Sequence, residues 1–281
     1  MPVIATTFAG RRDRMSLLVD YVVAAIDAGI VTAYHVWDYA RTEVDRRWLH
    51  TLPQRHPAIS VLTPAGHHAR YRAYYRHYRR EDHEGGLFLK LDDDIVYLSL
   101  DRLAAFVDFR VAHPEYFLVS ASVVNNGVCA HFQQQRGAIP PSLMELPYPD
   151  RGFCGRLWEH ADLAERLHDF FLDDPGRFDI AGVDIAPDRL SINCVAYLGS
   201  DLDALVDVGD DDEQDLSVTI PRRLQRRNAI FHPMLASHLS FFSQEGGMDV
   251  ARLLDRYRAL ARHVGVRTND QRGDATRSGD R

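Results

Sequence analysis

Leu87-Phe88-Leu89-Lys90-Leu91-Asp92-Asp93-Asp94-Ile95-Val96-Tyr97 reads as a buried strand that runs straight into three carboxylates. The first half is apolar and follows Gly85-Gly86, the pattern of a core strand bounded by a turn. Three adjacent acids at such a strand end repel one another and resist desolvation, so a cation is expected beside them. Oxygen-only donors favour a hard divalent ion, Mg²⁺ or Mn²⁺. At the carboxyl end of an α/β strand such an ion commonly holds phosphates. Lys90 lies two residues before Asp92 and shares its strand face, in place to contact phosphate or pair with the acids.

Outward from this stretch, strands and helices alternate. Val3–Phe8, Ala33–Asp38, Ile59–Leu62 and Phe117–Val124 read as strands; Ser16–Ile26 (stopping near Gly29), a segment from about Thr42, His67–Arg80 and Ser99–His113 read as helices. That alternation predicts a parallel α/β sheet with one core. Between the first strand and helix lies a small basic turn, Ala9-Gly10-Arg11-Arg12-Asp13-Arg14. Backbone N–H groups and arginines converging there suit a phosphate; a solvated turn is the alternative. There is no GxGxxG and no Walker lysine, so a dinucleotide fold and a P-loop are unsupported. Asp38, at the second strand end, reads either as a ribose or base contact or as a cap for the next helix. In His67–Arg80, the spacing of Tyr71, Tyr74, Tyr75 and Tyr78 marks a packing face more than a nucleic-acid surface.

Beyond residue 124 the pattern loosens. Asn125-Asn126-Gly127 reads as a polar turn. Its asparagines, with His131 and Gln133–Gln135, offer neutral amide and imidazole groups suited to hydroxyl-rich ligands, or simply a structural turn. Residues 136–187 are proline- and glycine-punctuated, with one helix from about Leu157 to Phe171, and read as an insertion over the sheet face. Leu190–Tyr197 reads as a strand and Met248–Ala261 as an amphipathic helix. A second acidic run, Asp210-Asp211-Asp212-Glu213 followed by Asp215, opens a helix-like segment through Leu224. Capping explains one or two acids, each stabilising by roughly 0.3–1 kcal/mol, but not five.

These motifs, in this order, resemble GT-A-fold glycosyltransferases. Asp92-Asp93-Asp94 resembles the DxD motif that, with a divalent metal, holds the diphosphate of a nucleotide sugar in that family. The resemblance implies a Rossmann-like α/β/α sandwich with a mostly parallel central sheet, covering residues 1–263 as one domain. Residues 1–124 would form a nucleotide-binding half and 125–263 an acceptor and catalytic half, with 264–281 a disordered tail. It implies nucleotide-sugar contacts at Thr7, Phe8, Gly10, Arg11, Asp38, Lys90, Asp92 and Asp93. Acceptor contacts are expected at Asn125, Asn126 and His131. The metal, Mn²⁺ or Mg²⁺, is expected on Asp94, Asp92 and His238, with His232 the second choice of histidine. Asp212 is the expected general base, with Asp211 and Glu213 its neighbours in that role. The implied reaction is transfer of a sugar, most often UDP-linked in this family, to a glycan or other hydroxyl acceptor with inversion, as in polysaccharide biosynthesis.

Composition agrees with a folded domain: 281 residues, 46% hydrophobic and 26% charged. The net charge of -7 argues against a nucleic-acid binder that relies on bulk charge. Cys129, Cys154 and Cys194 form no CxxC pair, so a disulfide framework or zinc site is not expected. Reduced thiols, no leader segment and no long apolar run predict a cytoplasmic protein with, at most, peripheral membrane association. The rivals are a nucleotidyltransferase of similar fold, a non-catalytic nucleotide- or carbohydrate-binding module, and a metal-dependent hydrolase. The first normally carries a longer glycine-rich basic loop than Gly10-Arg11-Arg12.

Overall fold

The computed structural model describes residues 1–64, 71–80, 83–149, 155–205 and 208–268, without the side chains of Tyr71 and Arg80. The amino-terminal half follows the alternation of its sequence. Strands β1 (Val3–Ala9), β2 (Ala33–Asp38), β3 (Ile59–Leu62) and β4 (Leu87–Asp92) are separated by helices α1 (Arg12–Asp27), α2 (Glu43–Leu49) and α3 (Tyr71–Arg80). Two local signals explain the boundaries. Gly29 takes a φ of +72° just past α1, the left-handed stop that glycine adopts without strain. Thr42 caps α2 by accepting from the Asp45 N–H at 3.1 Å.

After β4 the chain forms β5 (Ile95–Leu98), α4 (Leu100–Ala112), β6 (Tyr116–Val124) and α5 (Gly127–Gln135). Then come α6 (Arg156–Glu159), α7 (Ala161–Asp173), β7 (Val183–Ala186) and β8 (Cys194–Leu198). A short helix α8 (Asp212–Gln214) passes through a π-helical turn into α9 (Ile220–Arg223), followed by β9 (Arg227–His238) and α10 (Val250–His263). The nine strands form one sheet in the order β3-β2-β1-β4-β8-β6-β9-β5, with β7 on β9. Strands β1, β2, β3, β4, β6 and β9 share a direction; β5, β7 and β8 oppose it. The expected α/β class with a mostly parallel sheet is therefore observed.

The sheet curls, and the curl builds the site. Only Asp93 and Asp94 separate β4 from β5, yet β5 lies four places from β4 in the sheet order. Closure requires the end of β9 to approach the end of β4. Ile95 pairs with His238, and the Leu239 N–H donates to the Asp94 carbonyl at 2.9 Å.

Apolar residues fill both faces. The larger core gathers α1, α4, α5, α7 and α10, with Tyr21, Phe106, Phe171 and Tyr257 fully buried. The smaller one is aromatic: Tyr74, Tyr75 and Tyr78 of α3 pack with Trp37, Phe88 and Tyr197, each such ring contributing roughly 1.5–3 kcal/mol on burial. Tyr74 bonds Thr6 at 2.9 Å and Tyr197 at 2.6 Å, so its hydroxyl is satisfied there. The packing face expected of this helix is present at these three tyrosines; Tyr71 lies outside the described side chains.

Three strands, β5, β7 and β9, were not expected from the sequence. In β9 the pairing with β6 slips between Ala121 and Ser122, where Phe231 and then Leu235 are the partners. Pro233 sits in that bulge, where a missing N–H costs no ladder bond. The tail expected from Val264 is corrected in part, since Val266 is buried in the larger core; residues 269–281 lie outside the described residues. Cys129 and Cys194 are free and buried; Cys154 lies outside the described residues. Among the described residues no helix is long and apolar enough to cross a membrane.

Candidate active site

A cleft of about 600 Å³ opens at the carboxyl edge of the sheet, lined on one side by Asp92–Asp94 and on the other by Asp210–Glu213. The first cluster is held by cations from separate segments. Arg11 reaches Asp93 at 2.6 Å, Asp94 at 2.9 Å and Glu245 at 3.0 Å. Arg14 approaches Asp94 at 3.7 Å and donates to Ser240 at 2.6 Å. The Gly10 N–H donates to Asp93 at 2.8 Å. His238 Nε2 lies 3.1 Å from Asp94 Oδ1. Asp92 accepts from Lys90 Nζ at 3.1 Å and from Asn193 at 2.9 Å. Lys90, only 4% exposed, also lies 5.3 Å above the Phe8 ring.

The electrostatics follow. Burial would push the Asp94 carboxyl up, but His238, Arg11 and Arg14 outweigh it and hold it below the usual carboxylate range. Asp93 is pushed up by burial and by Asp94 beside it, against the pull of Arg11. Burial disfavours the Arg11 charge, yet Asp94 and Asp93 more than restore it, and its pKa rises. Lys90 likewise stays charged: Asp92 and Asp212 overcome its desolvation.

A cation fits this cluster. One ligating atom each from Asp92, Asp94 and His238 lie within 4.8 Å of one another. Both Asp94 carboxylate oxygens are buried in ion pairs with Arg11 and His238 but make no well-aligned hydrogen bond, and His238 Nδ1 is buried without a hydrogen-bond partner; an ion or a bound ligand would complete their coordination. Two carboxylates and an imidazole suit Mn²⁺ or Mg²⁺ by hardness, the nitrogen favouring Mn²⁺.

The second cluster is built differently. Asp211 caps α8 by accepting from the Gln214 N–H at 3.0 Å, and Arg189 forks onto Asp211 at 2.9 and 3.0 Å. The same arginine donates to Glu213 at 3.0 Å. Asp212 points inward, 8% exposed, and accepts from the Tyr75 hydroxyl at 3.2 Å. Burial raises its pKa; Lys90 opposes the rise and Asp92 adds to it. Burial also pushes the Glu213 carboxyl up to about 7, with Arg189 opposing.

Most, not all, of the residues expected from sequence converge here. Phe8, Arg11, Lys90, Asp92, Asp93, Asp94, Asp211, Asp212, Glu213 and His238 line the cleft, and Gly10 adjoins it through Asp93. Five others have inward roles. Thr7 is buried and accepts from Tyr34 at 3.0 Å. Asp38 accepts from the Ala40 N–H and faces Arg46 of α2 and His50 just past it at 3.4 and 3.5 Å; the helix cap is Thr42 instead. Asn125, at φ 62°, ties Leu239 and Gln244 together at 3.1 and 3.0 Å. Asn126 caps α5 at Cys129 and donates to Asn193 at 3.0 Å. His131 bonds the Leu146 carbonyl at 2.9 Å. The polar turn read at 125–127 is a strand-to-helix corner, and these amides serve the interior. His232 pairs with Ser122 and Asp184, away from the cleft.

Residues that sequence reasoning missed are Asn193, Arg189, Glu245 and Tyr75, together with Trp158, Phe241 and Phe242 on the rim. None carries a local signal. Tyr75 reads as one more core tyrosine, and Asn193 as an interior strand residue.

No protein-family model matches the chain, and no curated sequence matches it. The chain is similar in structure to a mannosyltransferase from Pyrobaculum calidifontis in complex with GDP-Man and Mn²⁺: TM-score 0.51, 15% identity, 93% of this chain and 64% of that one. The fold is GT-A-like. Lower superpositions are found with a 4-diphosphocytidyl-2C-methyl-D-erythritol synthase from Anaerococcus prevotii (TM-score 0.46, 9% identity, 92% of this chain and 96% of that one). A CMP:2-keto-3-deoxy-manno-octonic acid synthetase complexed with CTP gives 0.47 at 11% identity, covering 93% of this chain and 98% of that one.

Proposed function

We propose that the chain is a metal-dependent glycosyltransferase that moves a sugar from a nucleoside-diphosphate donor, UDP-linked in the first instance, to a hydroxyl of a glycan acceptor with inversion. The observation that carries the reading is the convergence of Asp92, Asp94 and His238 on one point, facing a second, less neutralised set of acids across one cleft. The mannosyltransferase with this fold binds GDP-Man and Mn²⁺, in keeping with such a donor. The nucleotidyltransferase alternative is disfavoured by the link from β1 to α1, which is Gly10-Arg11 alone, too short to cradle a triphosphate in backbone N–H groups.

In this reading Asp92, Asp94 and His238 hold Mn²⁺ or Mg²⁺. Bound there, the ion supplies positive charge against the departing diphosphate. Arg11 and Arg41, both on the cleft wall, face the phosphates. Asp212 takes the acceptor hydroxyl proton on its carboxylate. Its raised pKa makes it a stronger base than an ordinary aspartate, and Tyr75 orients it. Asp211 and Glu213 are committed to Arg189, which leaves Asp212 as the base.

The test is calorimetric titration with UDP, GDP, dTDP and CDP, each with and without Mn²⁺, on the wild type and Asp94→Ala. The expected result is metal-dependent binding of one diphosphate that the substitution lowers at least ~100-fold, about 2.7 kcal/mol. Metal-indifferent binding, or none, overturns the reading.

A further inference from the structure

An exposed aromatic corner stands on the rim of the cleft. Phe242 is 75% exposed, a large apolar surface to leave in water. Trp158 meets it edge to face at 4.9 Å, and meets Phe241 at 4.8 Å. The Phe241 ring in turn lies 4.5 Å from that of His238. All three rings line the same cleft as the acids.

The corner is held rigidly from behind. Gln244, fully buried, donates to the Leu157 carbonyl at 2.6 Å and to Asn125 at 3.1 Å. Its own carbonyl accepts from Asn125 at 3.0 Å and from the Phe241 N–H at 2.9 Å. Ser243 donates to the Trp158 carbonyl at 2.7 Å. A saturated buried network thus fixes the turn that displays Phe242 against the segment that displays Trp158. Networks of this kind specify one geometry, and here the geometry keeps a phenylalanine outward.

We propose that Trp158, Phe241 and Phe242 form the acceptor subsite, and that the acceptor presents a glycoside ring whose C–H face lies on Phe242 and Trp158. This rests on the transferase reading above. The occupant follows from the surroundings. The rings meet at steep angles (50° and 89°) and form a corner, which fits one compact ring better than an extended chain. Carboxylates stand around it, Glu245 next to the turn, where it pairs with Arg11, and Asp210 and Asp212 across the cleft. Carboxylates accept from sugar hydroxyls, while the aromatic faces take the apolar side of the ring. The same acids, on a chain of net charge -7, repel an anionic membrane surface.

The experiment uses Phe242→Ala and, separately, Trp158→Phe in the full chain. Phe242 is exposed, so its truncation leaves the fold intact. Binding of methyl glucoside, galactoside, mannoside and N-acetylglucosaminide is followed by saturation-transfer NMR, which needs no donor. Transfer kinetics are followed with a panel of sugar donors built on the nucleoside diphosphate found by calorimetry. We expect one or more glycosides to bind the wild type, Phe242→Ala to weaken that binding at least tenfold, and the acceptor KM to rise by a similar factor. The affinity for the nucleoside diphosphate with Mn²⁺ should stay within twofold. Glycoside binding or acceptor KM unchanged in both variants overturns the proposal, as does loss of phosphatidylglycerol-vesicle binding in Phe242→Ala with glycosides unaffected. Failure of nucleotide binding in the wild type overturns the transferase reading instead and leaves the glycoside titration to judge the corner by itself.

Discussion

The two acidic clusters differ in who neutralises them. Asp92–Asp94 sit between Arg11, Arg14, Lys90 and His238, delivered by the β1–α1 link, α1, β4 and the end of β9. Asp211 and Glu213 share Arg189, and inward-facing Asp212 has a tyrosine. The inward-facing acids differ in sign: Asp94 is held below the usual carboxylate range, although burial raises Asp93 beside it, whereas Asp212 and Glu213 lie above that range. A site that holds a cation needs its acids ionised in advance, whereas a base gains from a raised pKa. One cleft therefore carries two carboxylate environments suited to two tasks.

The sharpest way to break this contrast is Asp94→Ala. Beyond loss of metal-dependent nucleotide binding, it leaves Arg14 and His238 without their buried partner and should cost about 3–5 kcal/mol of stability, read by denaturant unfolding. A variant as stable as the wild type would show that the first cluster is not the tightly compensated one. Asp212→Asn probes the other side. Transfer should fall ~10²–10⁴-fold while donor affinity holds; an equal loss in Glu213→Gln would move the base by one residue.

Asn126→Ala sharpens the account of the first cluster. Asn126 fixes Asn193, which fixes Asp92, and it also caps α5. We expect a loss of about 1–2 kcal/mol in stability and a weaker Mn²⁺ affinity by calorimetry. Unchanged Mn²⁺ affinity would confine Asn126 to capping.

The smallest effect tests the raised acids by pH. Glu213 titrates near 7 in the fold and near 4.3 unfolded. A raised pKa means the folded chain binds that proton more tightly, so its stabilisation is complete below about 4.3 and lost as pH rises through about 7. Glu213→Gln should thus melt above the wild type at pH 8, by roughly 2–4 °C for each kcal/mol of burial penalty, and level with it at pH 4. A variant that melts lower at pH 8 would mean that the Arg189 bond outweighs the burial penalty.

The legible part of this protein was local. Periodicity and caps mark β1 through β4 and the helices between them, and the carboxylates at the end of an apolar strand mark the cleft. Strands β5, β7 and β9 escaped because β5 follows β4 after only two residues, β7 lies in a proline- and glycine-punctuated stretch, and β9 carries Pro233 in a bulge. Asn125, Asn126 and His131 read as acceptor contacts because amide and imidazole groups look alike whether they will bond a sugar or the protein interior. Trp158, Phe241 and Phe242 carried no signal, since an aromatic residue in a sequence usually reads as core.

By itself, then, the sequence determined the α/β alternation and the chemistry available: three acids at a strand end, five more at a helix start, histidine late in the chain. Only the tertiary structure decided which of these meet. Helix and strand signals are set by neighbours a few residues apart. The approach of His238 to Asp94, 144 residues away, depends on the curl that carries β9 and β5 back to the end of β4. The pKa contrast has the same origin, because desolvation and counter-charge belong to the folded surroundings and not to the residue.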